Sequence, residues 1–385
     1  MTGEGNRCQS AFTIRVGVGG RSRLCLGSRE YREAPVTDDQ RPTKPGKRAT
    51  INDVARIARV SKKTVSRVIN QSPLVREETR TRVAEVIAEL GFTPDPQARG
   101  LAFRRSFLVG LIYDNPSPTY VVNMQQGVLD ALKDSGLELV VHPCNRNSPT
   151  LVEDIRGFVE RQRLFGVIMP PSVSEDDRVI ALLRELDCPY VRIASVSLDE
   201  PGVMVVTNDH LGAAEAAGRL ADLGHTKIAL VRGPSLFRSS AVRGGGFRDA
   251  LAQRGIPMNP DYEYEGAYTF ESGVEAGHAL LAMAEPPTAI FSLNDDMAIG
   301  VMQAARERGL ELPRDLSVVG FDDLPMAGRI WPNLTTVRLP IRDMGRMAAE
   351  KLLAPLRGLD PAKLDQPDIL PSLVVRKSDI PATPL

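Results

Sequence analysis

From Phe107 onward, short runs of β-branched and aliphatic residues alternate with longer stretches of helical periodicity, and this alternation restricts the fold more than any other feature. The runs fall at 108–113, 138–142, 166–169, 188–193, 203–207, 227–231, 288–292 and 316–320, with helical stretches at 121–135, 151–162 and 176–186 between the first of them. Continuous apolar strands separated by helices mean parallel sheets covered on both faces. Some ten strands are more than one comfortable sheet holds. The expected solution is two α/β lobes with a cleft between them.

The chain before this region follows a different rule. Thr50-Ile51-Asn52-Asp53 has the form of a capping box, and Val54, Ile57 and Ala58 then recur at helical spacing. Ser61 is a good N-cap for a second helix with Val65, Val68 and Ile69 inward. A third runs from about Glu77 to Leu90, burying Val83, Val86, Ile87 and Leu90, and Gly91 stops it. Three short helices with a tight turn between the first two make a helix-turn-helix. The fold class is therefore α plus α/β: a three-helix DNA-binding type of domain at 47–93, a hinge at 94–106, and a two-lobed core at 107–385. The chain is expected to cross between lobes near residues 208, 335 and 368. Residues 1–46 are rich in Gly, Arg, Ser and Pro without sustained periodicity, and read as a disordered basic extension or a misplaced start.

The charge distribution follows these boundaries. The 385 residues carry 48 basic and 48 acidic side chains, yet 47–106 holds 13 basic against 6 acidic and 107–385 holds 27 against 37. A basic module on an acidic core suggests that only the first meets a polyanion, although a solvated basic face gives the same count. Cys8, Cys25, Cys144 and Cys188 have neither metal-ligand spacing nor the density of a disulfide framework, so a reducing cytoplasm is the simplest setting. No run approaches 18 consecutive apolar residues, and Arg15, Arg21 and Arg23 interrupt the mildly apolar 11–26, so neither a membrane span nor a secretory signal is expected. The four histidines are scattered, with no nucleophile elbow or Walker loop, so no enzyme activity, metal or cofactor is expected.

In a helix-turn-helix the second helix enters the major groove. Here it reads Ser61-Lys62-Lys63-Thr64-Val65-Ser66-Arg67-Val68-Ile69-Asn70, which sets Lys62, Lys63, Ser66 and Arg67 opposite the apolar face. Arg67 suits guanine O6 and N7, and Lys62 and Lys63 suit bases or phosphate. Thr50, Thr64 and Asn70 are short groups fitted to the DNA backbone. Pro94 to Arg105 allows a short helix capped by Asp95, weakened by Gly100, with Leu101 and Phe103 needing an apolar destination. A minor groove opened by a leucine wedge is one such destination, and a packed interdomain linker is the other.

The runs Ala49–Ala55 and Val60–Asn70, with Glu78-Thr79-Arg80 and the hinge Pro94…Ala98-Arg99-Gly100-Leu101, resemble the lactose-repressor (LacI) family over roughly 49–377. The resemblance implies a dimer whose hinge helices order on a palindromic operator, with Arg99 in the hinge and Leu101 intercalating at the operator centre. It departs at the long N-terminal extension. No heptad pattern marks the C-terminus, so a homodimer rather than a tetramer is expected.

Ligands of α/β lobes bind beyond the carboxyl ends of strands. Residues there are Asp114 to Tyr120, Arg192, Asn208 and Asp209, Arg243, Tyr268 and Phe270, Asn294 and Asp295, and Asp322 and Asp323. Carboxylates, amides and an arginine beside aromatic rings suit a polyhydroxylated ligand, while Asn208, Asp209 and Asn294 equally suit helix capping. The resemblance implies an effector between lobes akin to periplasmic sugar-binding proteins. Arg243 of Arg243-Gly244-Gly245-Gly246-Phe247 would grip it, with Asn294 of Asn294-Asp295-Asp296-Met297-Ala298 and Asp322 of Gly320-Phe321-Asp322-Asp323 adding polar contacts. It places Tyr268 as a stacking ring, Asp114 and Tyr120 after the first strand, and Trp331 as a wall or a structural residue near a crossover. Some sugar-responsive relatives carry an aspartate where this chain has Ala194. The expectation is thus a DNA-binding repressor controlled by a small molecule, a sugar first. A purine-type corepressor is the alternative, and an exported solute-binding protein is a distant third.

Overall fold

The computed structural model describes residues 49–69, 74–92 and 107–382. The expected extension, the hinge, Asn70, Arg99 and Leu101 lie outside the described residues. The chain divides between Thr93 and Pro94 into two units.

In the first unit, α1 (Ile51–Ile57), α2 (Lys62–Ile69) and α3 (Glu77–Glu89) follow the expected order. The Asp53 carboxylate accepts both the backbone N–H and the hydroxyl of Thr50, at 3.0 and 2.7 Å, which holds its pKa below the usual carboxylate range. Ser61 Oγ accepts the N–H of Thr64 at 3.1 Å and so starts α2. Val54, Ala55, Ala58, Val65, Val68, Val83 and Val86 interlock as its core.

The described part of the second unit contains two sheets. The first is β1 (Leu108–Tyr113), β2 (Glu138–Pro143), β3 (Gly166–Met169), β4 (Tyr190–Ala194) and β5 (Met204–Val206), all parallel in the order β2-β1-β3-β4-β5. The second is β6 (Ile228–Arg232), β7 (Glu263–Glu265), β8 (Ala289–Ser292), β9 (Ser317–Asp322), β10 (Thr335–Arg338) and β11 (Ser372–Val374), in the order β11-β10-β9-β8-β6-β7. Only β11, antiparallel to β10, breaks the parallel pattern among the described strands. Helices α4 (Pro118–Leu132), α5 (Leu151–Gln162), α6 (Asp177–Glu185), α7 (Asp209–Asp222), α8 (Arg238–Gln253), α9 (Phe270–Leu281), α10 (Asp295–Glu307) and α11 (Ile341–Leu353) cover them.

Among the described residues the chain passes between lobes three times. It leaves the first sheet after β5, and α7 packs on α8 in the second lobe. It returns after β10, because α11 packs on α4 in the first lobe, and β11 brings it back again. The middle passage comes slightly later than residue 335, since Thr335–Arg338 continues the second sheet in register with Val319–Asp322. No described helix is long and apolar enough to cross a membrane.

Candidate functional site

In the first unit, Lys62, Lys63 and Arg67 are exposed on α2, Thr64 and Ser66 are half-buried, and Thr50 is exposed at the start of α1. The apolar Val65 and Val68 anchor the opposite face. Lys62, Lys63 and Arg67 of the sequence-derived donors are therefore turned to solvent, while the buried Val65 and Val68 face the core of the unit.

In the second unit a polar cavity opens where the strands of both lobes end. Asn115 and Ser117 reach it from the loop after β1, Tyr120 from the first turn of α4, Pro171 from beyond β3, and Thr207 and Asp209 from beyond β5. The second lobe contributes Phe237, Ser239, Arg243, Tyr268, Asn294 and Asp322. The space left is about 40 Å³, room for little more than one or two water molecules.

Arg243 organises this wall. Its guanidinium is buried, donating to Asp209 Oδ2 and to the carbonyl of Leu293, both at 2.7 Å, with Asp322 Oδ1 at 3.5 Å. It also lies over the Phe321 ring, 3.8 Å from the centroid. Burial opposes its charge, but Asp209 and Asp322 outweigh that and hold it firmly protonated. Asp322 is the second carboxylate on one cation. Burial pushes it up to about 7, with Arg243 opposing and Asp209 adding. Thr207 donates to the other oxygen of Asp209.

The aromatic part of the wall needs an unusual backbone. Tyr268 has φ +61°, and its ring lies where a β-carbon on Gly233 would have to be, so only glycine fits at 233. Phe237 meets Tyr268 edge-on, with centroids 5.2 Å apart. Burial raises the hydroxyls of Tyr120 and Tyr268, so both remain neutral groups. The Tyr268 hydroxyl has no hydrogen-bond partner among the described residues. Asn294 does two things at once: its side chain caps α10 by accepting from Met297 N and donates to the Tyr268 carbonyl, each at 3.0 Å.

Of the residues singled out by sequence, Asn115, Ser117, Tyr120, Asp209, Arg243, Tyr268, Asn294 and Asp322 are brought together here. Others, Asn208, Phe270, Asp295 and Asp323 among them, are placed elsewhere. Arg192 lies within β4, buried against the Ser174 carbonyl at 2.7 Å and Asp199 at 3.3 Å. Asp114 accepts the backbone N–H of Arg146. Trp331 is 69% exposed, under the Lys377 ammonium. Phe237 and Ser239 had not been singled out, although Ser239 lies one helical turn before Arg243.

Residues 50–95 match the family of bacterial regulatory proteins named for lacI, and 217–378 match the periplasmic binding protein-like domain. A probable HTH-type transcriptional repressor ExuR of Bacillus subtilis (strain 168) is 35% identical over 311 residues, 79% of this chain and 91% of that protein. The chain belongs to the LacI family. As a LacI-family protein it is a DNA-binding transcriptional regulator with a helix-turn-helix and a two-lobed sensor core. Among solved LacI-family structures, a lac repressor dimer bound to operator and the anti-inducer ONPF matches with a TM-score of 0.71 at 30% identity, covering 87% of this chain and all of that one. A complex of the regulator CelR with cellobiose matches with a TM-score of 0.64 at 30% identity, covering 86% of this chain and all of that one.

Proposed function

We propose that this LacI-family protein is a homodimeric repressor of a palindromic operator, and that a neutral, hydroxyl-rich small molecule held between its lobes sets its DNA affinity. The observation that carries the ligand class is the charge state of the cavity. Arg243 is the single cation lining it among the described residues, and Asp209 and Asp322 already engage it. A phosphorylated or carboxylated ligand would meet no unengaged positive charge. A sugar instead finds carboxylate acceptors, an amide, tyrosine hydroxyls and aromatic faces. The small free volume means that such a ligand enters only when the lobes part, which gives binding a conformational consequence. The DNA-contacting set is Thr50, Lys62, Lys63, Thr64, Ser66, Arg67 and Asn70, with Arg99 and Leu101 in the hinge.

The test is a thermal shift of the full chain against glucose, cellobiose, glucose 6-phosphate and hypoxanthine. A ligand at 100 times its Kd stabilises by about 2.7 kcal/mol. A rise with a neutral sugar, lost in Arg243→Ala, is expected. A rise with the phosphate alone contradicts the charge argument, and one with hypoxanthine favours a corepressor.

A further inference from the structure

Contacts beside the cavity tie the two lobes across the cleft. Arg146, beyond β2, donates from Nη1 to the Leu236 carbonyl of the second lobe at 2.8 Å. Its own position is fixed by Asp114 on its backbone N–H and by Asp176, 3.4 Å from its Nε. Glu175, in the turn after β3, is 4% exposed, and its Oε2 accepts the backbone N–H of Arg238 at 3.0 Å. Arg238 is the first residue of α8, so that amide is one of the donors a helix leaves unsatisfied, and a carboxylate there is favoured by the helix dipole. The other oxygen, Oε1, is buried without a hydrogen-bond partner among the described residues. Half of the carboxylate is thus kept from water without a hydrogen bond, and the charge is offset by Arg146, whose Nη1 lies 3.9 Å from Oε2. Ser117 adds a third tie, donating to Asp296 Oδ2 at 3.0 Å.

The turn gripped in this way contains Phe237 and leads within α8 to Ser239 and Arg243, all three part of the cavity wall. We propose that Glu175 and Arg146 are positioning residues of the effector site, clasping the start of α8 and the turn before it from the opposite lobe and so setting how far the cleft closes. The purpose of the clasp rests on the effector reading above, but the closure itself needs no ligand.

Hydrogen exchange read by mass spectrometry on the ligand-free full chain tests this, with Glu175→Ala, Glu175→Gln and Arg146→Ala beside the unaltered protein. A charge-assisted hydrogen bond corresponds to about tenfold or more in an opening equilibrium. Glu175→Ala and Arg146→Ala should therefore raise exchange about tenfold at both lips of the cleft, 236–243 on one side and 117–120 on the other. The strands β1, β3, β6 and β8 should keep their rates. Glu175→Gln, whose amide oxygen still accepts from Arg238, should restore slow exchange at both lips. Faster exchange confined to the neighbourhood of residue 175, or spread through the whole first lobe, would overturn the proposal. So would unchanged lips in both alanine variants. Because no ligand is present, failure here is distinct from failure of the effector reading, which shows only in the ligand titration.

Discussion

Replacing Arg243 with alanine would leave Asp209 and Asp322 buried without the cation that engages both. Breaking a buried pair in this way costs about 3–5 kcal/mol, which urea denaturation of the full chain would measure. Asp322 gives the site a pH dependence with a definite sign. Its folded value of about 7 lies above the unfolded value near 3.9, so its contribution to stability is full below the unfolded value and is lost as pH rises through the folded one. Denaturation between about pH 4 and pH 7 should show stability falling by up to ~1.4 kcal/mol per unit, a slope that Asp322→Asn removes. The residues of this site were legible where a motif and a post-strand position coincided, as at Arg243, Asn294 and Asp322. Position alone was not enough. Arg192 is two residues short of the end of β4 and turns to Ser174 and Asp199 instead of the cleft. Phe237 lies in a turn with no motif, and it is the fold that brings its ring to Tyr268.

The strongly periodic elements follow from the sequence directly: β1, β3 and α5 have the boundaries that their apolar runs imply. The first described helix of the core begins at Pro118 instead of residue 121, because proline is well placed at a first helical position after Ser117. The short strands β7, β10 and β11 were not marked. Three or four residues such as Glu263-Tyr264-Glu265 carry too little periodicity, and pairing to β6 alone makes them strand. Glycine in the arginine motif also has an element-level reason. A β-carbon at Gly246 would sit 2.5 Å from the His210 carbonyl oxygen, so this residue lets α8 lie against α7. Gly246→Ala should destabilise the core by about 1–3 kcal/mol in a thermal melt, without touching the cavity.

For the whole molecule, the uneven charge, the helix-turn-helix and the two lobes describe a protein that reads DNA with one unit and a small molecule with the other. Which half was legible follows from the physics. Short helices capped by Thr50, Asp53 and Ser61 declare themselves locally, whereas the cavity gathers residues from 115 to 344 that only the parallel topology unites. The central claim is best tested by selecting binding sites for the full chain from a random pool of duplex DNA and titrating the enriched site. The account predicts an inverted repeat whose affinity drops, by about 1–3 kcal/mol, in Arg67→Ala. It also predicts that Arg243→Ala binds the same repeat but no longer responds to the ligand. Failure to enrich any site, or an Arg67→Ala protein with unchanged affinity and specificity, would contradict it.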